Sequence, residues 1–348
     1  MRMKIGIACN VKPLELAELG MEEDPPSITA AGEDAYAEWD TAATVRAVER
    51  ALASRYDTVF LVANSGFAEK LDRAPVDLVF NMVEGLHGAF RESLVPALLE
   101  ERGVPYTGSD PLTLALCLDK ARAKEVLAFH GVPTAPFCVV HDEAEAAALN
   151  GFGLPAMVKP AAEGSSKGIF DANCVRDRAA LAPKVRELLR QYRQPVLVEA
   201  FLPGREFTVA VLGNPPDRRV LPIVEINFND LPPGANPVYG YEAKWVWDTP
   251  EKPLNLFTCP APVDGPLCEA LERAALDACR VLRVRDWCRV DLRLDERGAP
   301  QVMELNPLPG ILPDPRENSC FPKAAAAAGL TYEEMIHRVV DAALARLG

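Results

Sequence analysis

Residues 289–310 read RVDLRLDERGAPQVMELNPLPG. In an extended chain successive side chains point to opposite faces. Arg289 and Asp291 therefore share one face, with Val290 and Leu292 on the other, and Glu304 and Asn306 share a face of the next run. If Arg297 and Gly298 are the two-residue loop of a hairpin, Asp291 lies opposite Glu304 and Arg289 opposite Asn306. Two carboxylates and an amide oxygen beside a guanidinium suit a hard cation such as Mg²⁺, which completes its shell with water and phosphate. The same alternation describes a solvent-exposed hairpin face carrying ordinary cross-strand ion pairs. On these residues alone both readings stand.

Upstream, the strand-like Met157-Val158-Lys159 leads into Glu163-Gly164-Ser165-Ser166-Lys167-Gly168. Small residues let backbone N–H groups approach an anion closely, and the hydroxyls and the preceding lysine add donors for phosphate. A plain flexible connection has the same composition. The loop matches neither G-x-x-x-x-G-K-[ST] nor G-x-G-x-x-G, which disfavours the common mononucleotide and dinucleotide folds. Glu199, closing PVLVE, and Glu206, after the Pro203-Gly204 turn, read as two edge carboxylates or as a base-and-ribose contact pair.

Further out, short apolar runs (KIGIAC, TVFLVAN, DLVFNMV) alternate with the helical TAATVRAVERALAS and SLVPALLEERG, which predicts a small parallel sheet with crossover helices. Turn residues in GVPYTGSDP place a boundary near Asp110, and a helix is expected over 112–130. Strands FCVV and PAMVKP, an Ala- and Glu-rich helix between them, a helix over 178–193 and the strand PVLVEAF form a second unit. Antiparallel alternation dominates after Leu202, and a helix over 332–347 closes the chain. The expected division is 1–110, 111–199 and 200–348. The stretch 15–40, rich in carboxylates, is a plain loop or a substrate lid.

A chain of 348 residues predicts two or three packed domains. The 50 acidic against 37 basic side chains give a charge of -13, which repels a phosphate backbone and argues against nucleic acid as a partner. A small anion remains admissible, because surface charge is screened within about 10 Å and lysines in a cleft act locally. Residues 1–10 read as a strand and not as a signal peptide. No run approaches the roughly 20 apolar residues of a membrane helix. The nine scattered cysteines, with no C-x-x-C pair, suit reduced thiols in a cytoplasm better than a disulfide framework or a zinc site.

From about Val76 onward NMVEGLHG, GVPYTGS, LDKARAK, MVKPAAEGSSKG, VLVEAFLPGREFTV, YEAKW, RVDLRL and MELNPLPG follow one another. This ordered set resembles the D-alanine:D-alanine ligase branch of the ATP-grasp superfamily. The resemblance implies a mixed α/β fold: an N-terminal doubly wound parallel-sheet domain and two α+β domains clamping ATP. It implies ATP and Mg²⁺ as cofactors, with Mn²⁺ a possible substitute. Lys120 and Lys159 would contact phosphates, and the loop with Glu163, Gly164, Ser165, Ser166 and Gly168 would close over them. Glu199, Ala200, Phe201 and Leu202 would line the adenine, Glu206 would meet the ribose, and Lys244 a further phosphate. Asp291, Glu304 and Asn306 match the magnesium ligands. Arg289 matches the arginine at the reacting centre, with Lys244 and Ser166 completing the catalytic set.

The departures from the family pattern lie among substrate contacts. Its GG-x-S-x-E signature is absent from 5–16, and H-G-x-x-G-E-D-G is replaced by residues 84–92. Glu84, His87 and Arg91 orient an amino acid there, or Arg91 and Glu92 serve an ion pair and a helix end. Trp245 stands where a tyrosine is usual. In PLPGILPDPRENSCFP, Gly310 and Ser319 match the substrate carboxylate site, and Arg316 binds a second carboxylate or covers the surface. The implied activity joins small-molecule carboxylate and amine substrates through an acyl phosphate, in a cytoplasmic homodimer. A strict D-alanine:D-alanine ligase is the nearest alternative. An ATP-binding regulatory protein, or an ATP-grasp kinase or carboxylase, is the rival of another class.

Overall fold

Ile5, Ile7 and Cys9 of β1 (Lys4–Cys9) are buried on one face and Ala8 on the other, so this strand is covered on both sides. It lies between β2 (Asp57–Val62) and β3 (Leu78–Met82), parallel to both, in the order β2-β1-β3. Helix α1 (Ala42–Ala53) packs on the Ile5 face; α2 (Phe67–Arg73) and α3 (Leu94–Glu101) pack on the Ala8 face. This is the doubly wound arrangement that the alternating pattern predicts. The computed structural model describes residues 2–20, 36, 38–248, 254–314 and 317–348, and of Trp245 only the backbone.

The helix expected over 112–130 is two helices, α4 (Pro111–Leu118) and α5 (Lys120–Phe129). Asp119 breaks them. Its backbone is extended, and its carboxylate accepts from the amides of Ala121 and Arg122, capping α5. A four-stranded antiparallel sheet follows in the order β4 (Phe137–Val140), β7 (Val196–Ala200), β5 (Ala156–Pro160), β6 (Cys174–Val175), backed by α6 (Arg178–Tyr192). The expected Ala- and Glu-rich helix is a 3-10 segment, Glu145–Gly151.

The third sheet orders β11 (Phe257–Thr258), β10 (Val224–Ile226), β8 (Glu206–Leu212), β12 (Trp287–Leu294) and β13 (Pro300–Asn306), with β9 (Arg219–Val220) on β8. One face packs on α7 (Gly265–Val281). The chain ends in α8 (Cys320–Ala327) and α9 (Tyr332–Leu347), the latter opened by a Thr331/Glu334 capping box and packed on α1.

In the β12–β13 hairpin Arg289 pairs with Asn306 and Asp291 with Glu304, the expected partners, but the loop differs from expectation. The amide of Gly298 bonds the Asp295 carbonyl and that of Asp295 the Ala299 carbonyl, closing a three-residue loop with Gly298 at φ +79°. That loop displaces the register, and a bulge between Asp291 and Leu292, with Met303 as the extra residue, restores it. The two departures cancel at the site.

Candidate active site

The buried face of the hairpin opens into a cavity of ≈ 420 Å³ between the second and third sheets. Strand alternation extends that face to Arg293, and pairing with β8 brings Thr208 opposite Asp291 and Glu206 opposite Arg293. Arg289 holds Asp291 through Nε–Oδ1 at 3.0 Å and Nη2–Oδ2 at 2.9 Å, and Asn306 Nδ2 donates to Asp291 Oδ2 at 3.1 Å. Lys120 Nζ lies 3.2 Å from Glu304 Oε2 and donates to the Glu163 carbonyl. Burial works to raise the Glu304 pKa, but Lys120, Lys159 and Arg289 outweigh it and hold the carboxyl down to about 2. Two carboxylates and an amide on adjacent strands form a hard oxygen donor set, which fits Mg²⁺. The exposed-face reading fails, since Asp291 is 9 % exposed.

On the opposite wall Lys159 Nζ meets Glu199 Oε1 at 2.6 Å. The other oxygen of Glu199 meets Lys124, a residue the sequence reading passed over: Nζ to Oε2 is 3.0 Å, and Nζ also donates to Thr134 Oγ1 at 2.6 Å. Burial again pushes Glu199 upward, and Lys124 and Lys159 overcome it to hold the group at about 2. Lys120 and Lys124 stand one helical turn apart in α5. That spacing was the available signal. Ala200, Phe201 and Leu202 line the cavity beside Glu199. Arg293, also missed, donates to Glu206 Oε2 at 3.0 Å and lies 4.7 Å from the Phe201 ring centroid, bracing that wall. Burial raises Glu206 to about 7 against the pull of Arg293.

The loop after β5 reaches the cavity through Glu163, Gly164, Ser165 and Ser166. Ser165 and Ser166 adopt φ 48° and 61°, a left-handed conformation rare for residues with a Cβ, in a turn closed by Lys167 N to Gly164 O at 2.8 Å. Ser166 Oγ donates to the Tyr239 carbonyl at 2.9 Å. The Glu163 carboxylate is engaged by Gln194 at 2.7 Å and Lys167 at 3.1 Å. Gly168 does not line the cavity: at φ +71° it closes the loop onto β5, where a Cβ would meet Pro160 Cγ at 2.5 Å. Lys244 lines both cavities from a π-helical turn, Ala243–Trp247, and burial followed by Arg289 lowers its pKa to about 8.

Of the expected substrate contacts, Gly310 and Ser319 line the first cavity, with Ser319 Oγ donating to the Gly310 carbonyl at 2.9 Å. Glu84 lines a smaller adjoining cavity of ≈ 120 Å³, with Arg289, Lys244 and Asn306 on its other walls. His87 does not meet the expectation. It is exposed, swung outward between Gly85 at φ +70° and Gly88 at φ +89°. Arg91 lines neither cavity: its guanidinium binds Glu38 Oε1 at 2.6 Å and the Ala162 carbonyl at 2.9 Å. The alternative reading of Arg91 as an ion-pair residue fits this placement, with Glu38 as its partner. Arg316, and residues 21–35 of the acidic stretch, lie outside the described residues. The end of that stretch does reach the cleft, through Glu38, Trp39 and Asp40. No local signal marked those three, because their place depends on a hydrogen bond from Trp39 Nε1 to the Gly85 carbonyl.

The family model described as D-ala D-ala ligase C-terminus matches residues 126–341. A Sinorhizobium fredii protein named only y4sG is 35 % identical over 83 % of this chain and 83 % of its own. D-alanine–D-alanine ligases of Cupriavidus taiwanensis and Laribacter hongkongensis are 34 % and 37 % identical, over 80 % and 74 % of this chain and 79 % and 77 % of theirs. A solved structure of Bacillus anthracis D-alanine–D-alanine ligase complexed with ATP shares the fold, with a TM-score of 0.69 at 22 % identity, covering 99 % of this chain and 98 % of that one. Sequence likeness over most of the length, and the same fold throughout, place the chain in the D-alanine–D-alanine ligase family of ADP-forming carboxylate–amine ligases.

Proposed function

We propose that this chain activates a carboxylate with ATP and joins it to an amine, on amino acids or amino-acid-like metabolites other than two D-alanines. The observation that carries the reading is one cavity lined together by Lys120, Lys159, Lys244, Arg289, Asp291 and Glu304. Asp291, Glu304 and Asn306 would hold Mg²⁺, which when bound neutralises charge on the phosphate oxygens. Lys120, Lys159 and Lys244 supply positive charge to the same oxygens. A carboxylate oxygen of the substrate attacks the terminal phosphorus as the bond to the ADP oxygen breaks. The amine nitrogen then attacks the acyl carbonyl and loses a proton, and phosphate leaves. Arg289, fixed by Asp291, stabilises the oxyanion between those events. The serine loop, held by the bond from Ser166 to the Tyr239 carbonyl, keeps water from the acyl phosphate.

Among the described residues no helix is long and apolar enough to cross a membrane. The division at 110 and 199, a cytoplasmic location and a homodimer belong to the same proposal on family grounds. A strict D-alanine–D-alanine ligase is the second reading, supported by the names of the curated relatives. The test is phosphate release from Mg·ATP across pools of carboxylates and amines, with mass measurement of the product. An amide and stoichiometric phosphate are expected. No turnover above the enzyme-free rate with any pool would favour a regulatory ATP-binding protein, and a phosphorylated or carboxylated product a kinase or carboxylase.

A further inference from the structure

One wall of the smaller cavity gathers three carboxyl groups. Carboxylate oxygens of Glu38, Glu84 and Glu92 lie within 4.8 Å of one another. Glu38 is paired with Arg91, whose guanidinium is otherwise committed to the Ala162 carbonyl. Gly85 sets this arrangement, because a Cβ there would lie 2.7 Å from both Arg91 Cβ and the Arg91 carbonyl oxygen. The Arg91 backbone therefore packs directly on the Glu84-Gly85 turn. Glu92 is only 7 % exposed, lines the cavity, and has no hydrogen bond or ion pair among the described residues, Arg91 and Lys120 acting on it only through space. Glu84 is likewise without such a partner and lines the same space.

A buried carboxylate without a partner is costly unless it is protonated or meets a cation. Burial, then the neighbouring glutamates, push Glu84 well above the usual carboxylate range, and burial raises Glu92 to about 7. Arg289 and Lys244 line the same cavity. Two carboxyl groups with no hydrogen-bonded partner can receive two N–H⁺ groups, whose charge returns them to the ionised form, and ≈ 120 Å³ admits only a short chain.

We propose that this cavity takes a short diamino acid as the carboxylate substrate, its two ammonium groups received by Glu84 and Glu92 and its carboxylate turned toward Arg289. The proposal rests on the ligase reading for which site is the carboxylate's, and it is tested first without turnover. Calorimetry with a non-hydrolysable ATP analogue and Mg²⁺ present compares 2,3-diaminopropionate and 2,4-diaminobutyrate with alanine and 2-aminobutyrate, in both stereochemical forms. The diamino acids are expected to bind at least tenfold tighter. Glu92→Gln and Glu84→Gln are expected to reduce that ratio at least tenfold, with nucleotide affinity, measured separately, reporting an intact fold. Equal binding of neutral and diamino acids overturns the proposal, as does a ratio unchanged in both variants. A divalent ion titrating to one equivalent fewer in Glu92→Gln would overturn it in favour of a second metal. Diamino-acid binding without amide formation in the phosphate assay would refute the ligase reading while leaving the cation pocket standing.

Discussion

Lys124→Met isolates the cation that sequence reading passed over. Lys124 is 1 % exposed and touches Glu199, Thr134 and the Val302 carbonyl. Removing one partner of a buried pair costs about 3–5 kcal/mol, because the other charge is left uncompensated. Here Glu199 keeps Lys159 at 2.6 Å, which lowers the expected cost to about 2–3 kcal/mol. The Glu199 shift sets a ceiling of the same order for the two lysines together. Glu199 is held from its ordinary value of 4.5 down to about 2, and at about 1.4 kcal/mol per unit both lysines together contribute roughly 3 kcal/mol net of burial.

The sign follows from the direction. A carboxyl whose folded pKa is depressed contributes stability that is complete above its unfolded value and lost as pH falls toward the folded one, here between 4.5 and about 2. Losing Lys124 raises the folded value, so the variant's penalty is full at pH 7 and shrinks on acidification through that window. Urea unfolding at pH 7 in a double-mutant cycle with Glu199→Gln is the assay. Lys124→Met should cost about 2–3 kcal/mol in the native background and nothing, or less than nothing, in the Glu199→Gln background. An equal cost in both backgrounds would mean that Lys124 acts through packing of its stem, and the charge argument would fail.

Three further outcomes are expected. Glu304→Gln removes one of two carboxylates from the donor set and should lower metal-dependent turnover by more than about 100-fold, with circular dichroism unchanged; retained activity would refute the ligand assignment. Gly164→Ala would place a Cβ 2.3 Å from Glu38 Oε1, forcing that carboxylate off Arg91, and should weaken ATP binding about tenfold, roughly 1.4 kcal/mol, by fluorescence titration. Lys244 carries its charge only below about 8 in the free protein, so nucleotide affinity should fall as pH rises through that value, and a Lys244→Met variant should lose the slope.

Residues whose meeting is set by local period were legible before any coordinates. Alternation aligned Arg289 with Asp291 and Glu304 with Asn306, and one more step of it would have reached Arg293. A single helical turn would have joined Lys124 to Lys120. Even a wrong loop length was harmless there, because the bulge at Met303 cancelled it. The substrate side has no such period. Glu38, Glu84, Glu92 and Arg91 come from separate loops, and what brings them together is a chain of single contacts: Asn10 on the Gly85 amide, Trp39 on the Gly85 carbonyl, Arg91 on Ala162. None of these leaves a spacing to count. His87, one of the expected contacts, is exposed to solvent, while Glu92, read there as a helix-end residue, lines the cavity. The nucleotide half of the site rests on strands and a helix, whose geometry is repetitive. The substrate half rests on docked loops, where one glycine such as Gly85 decides which side chain turns inward, and there specificity can change while the nucleotide machinery stays as it is.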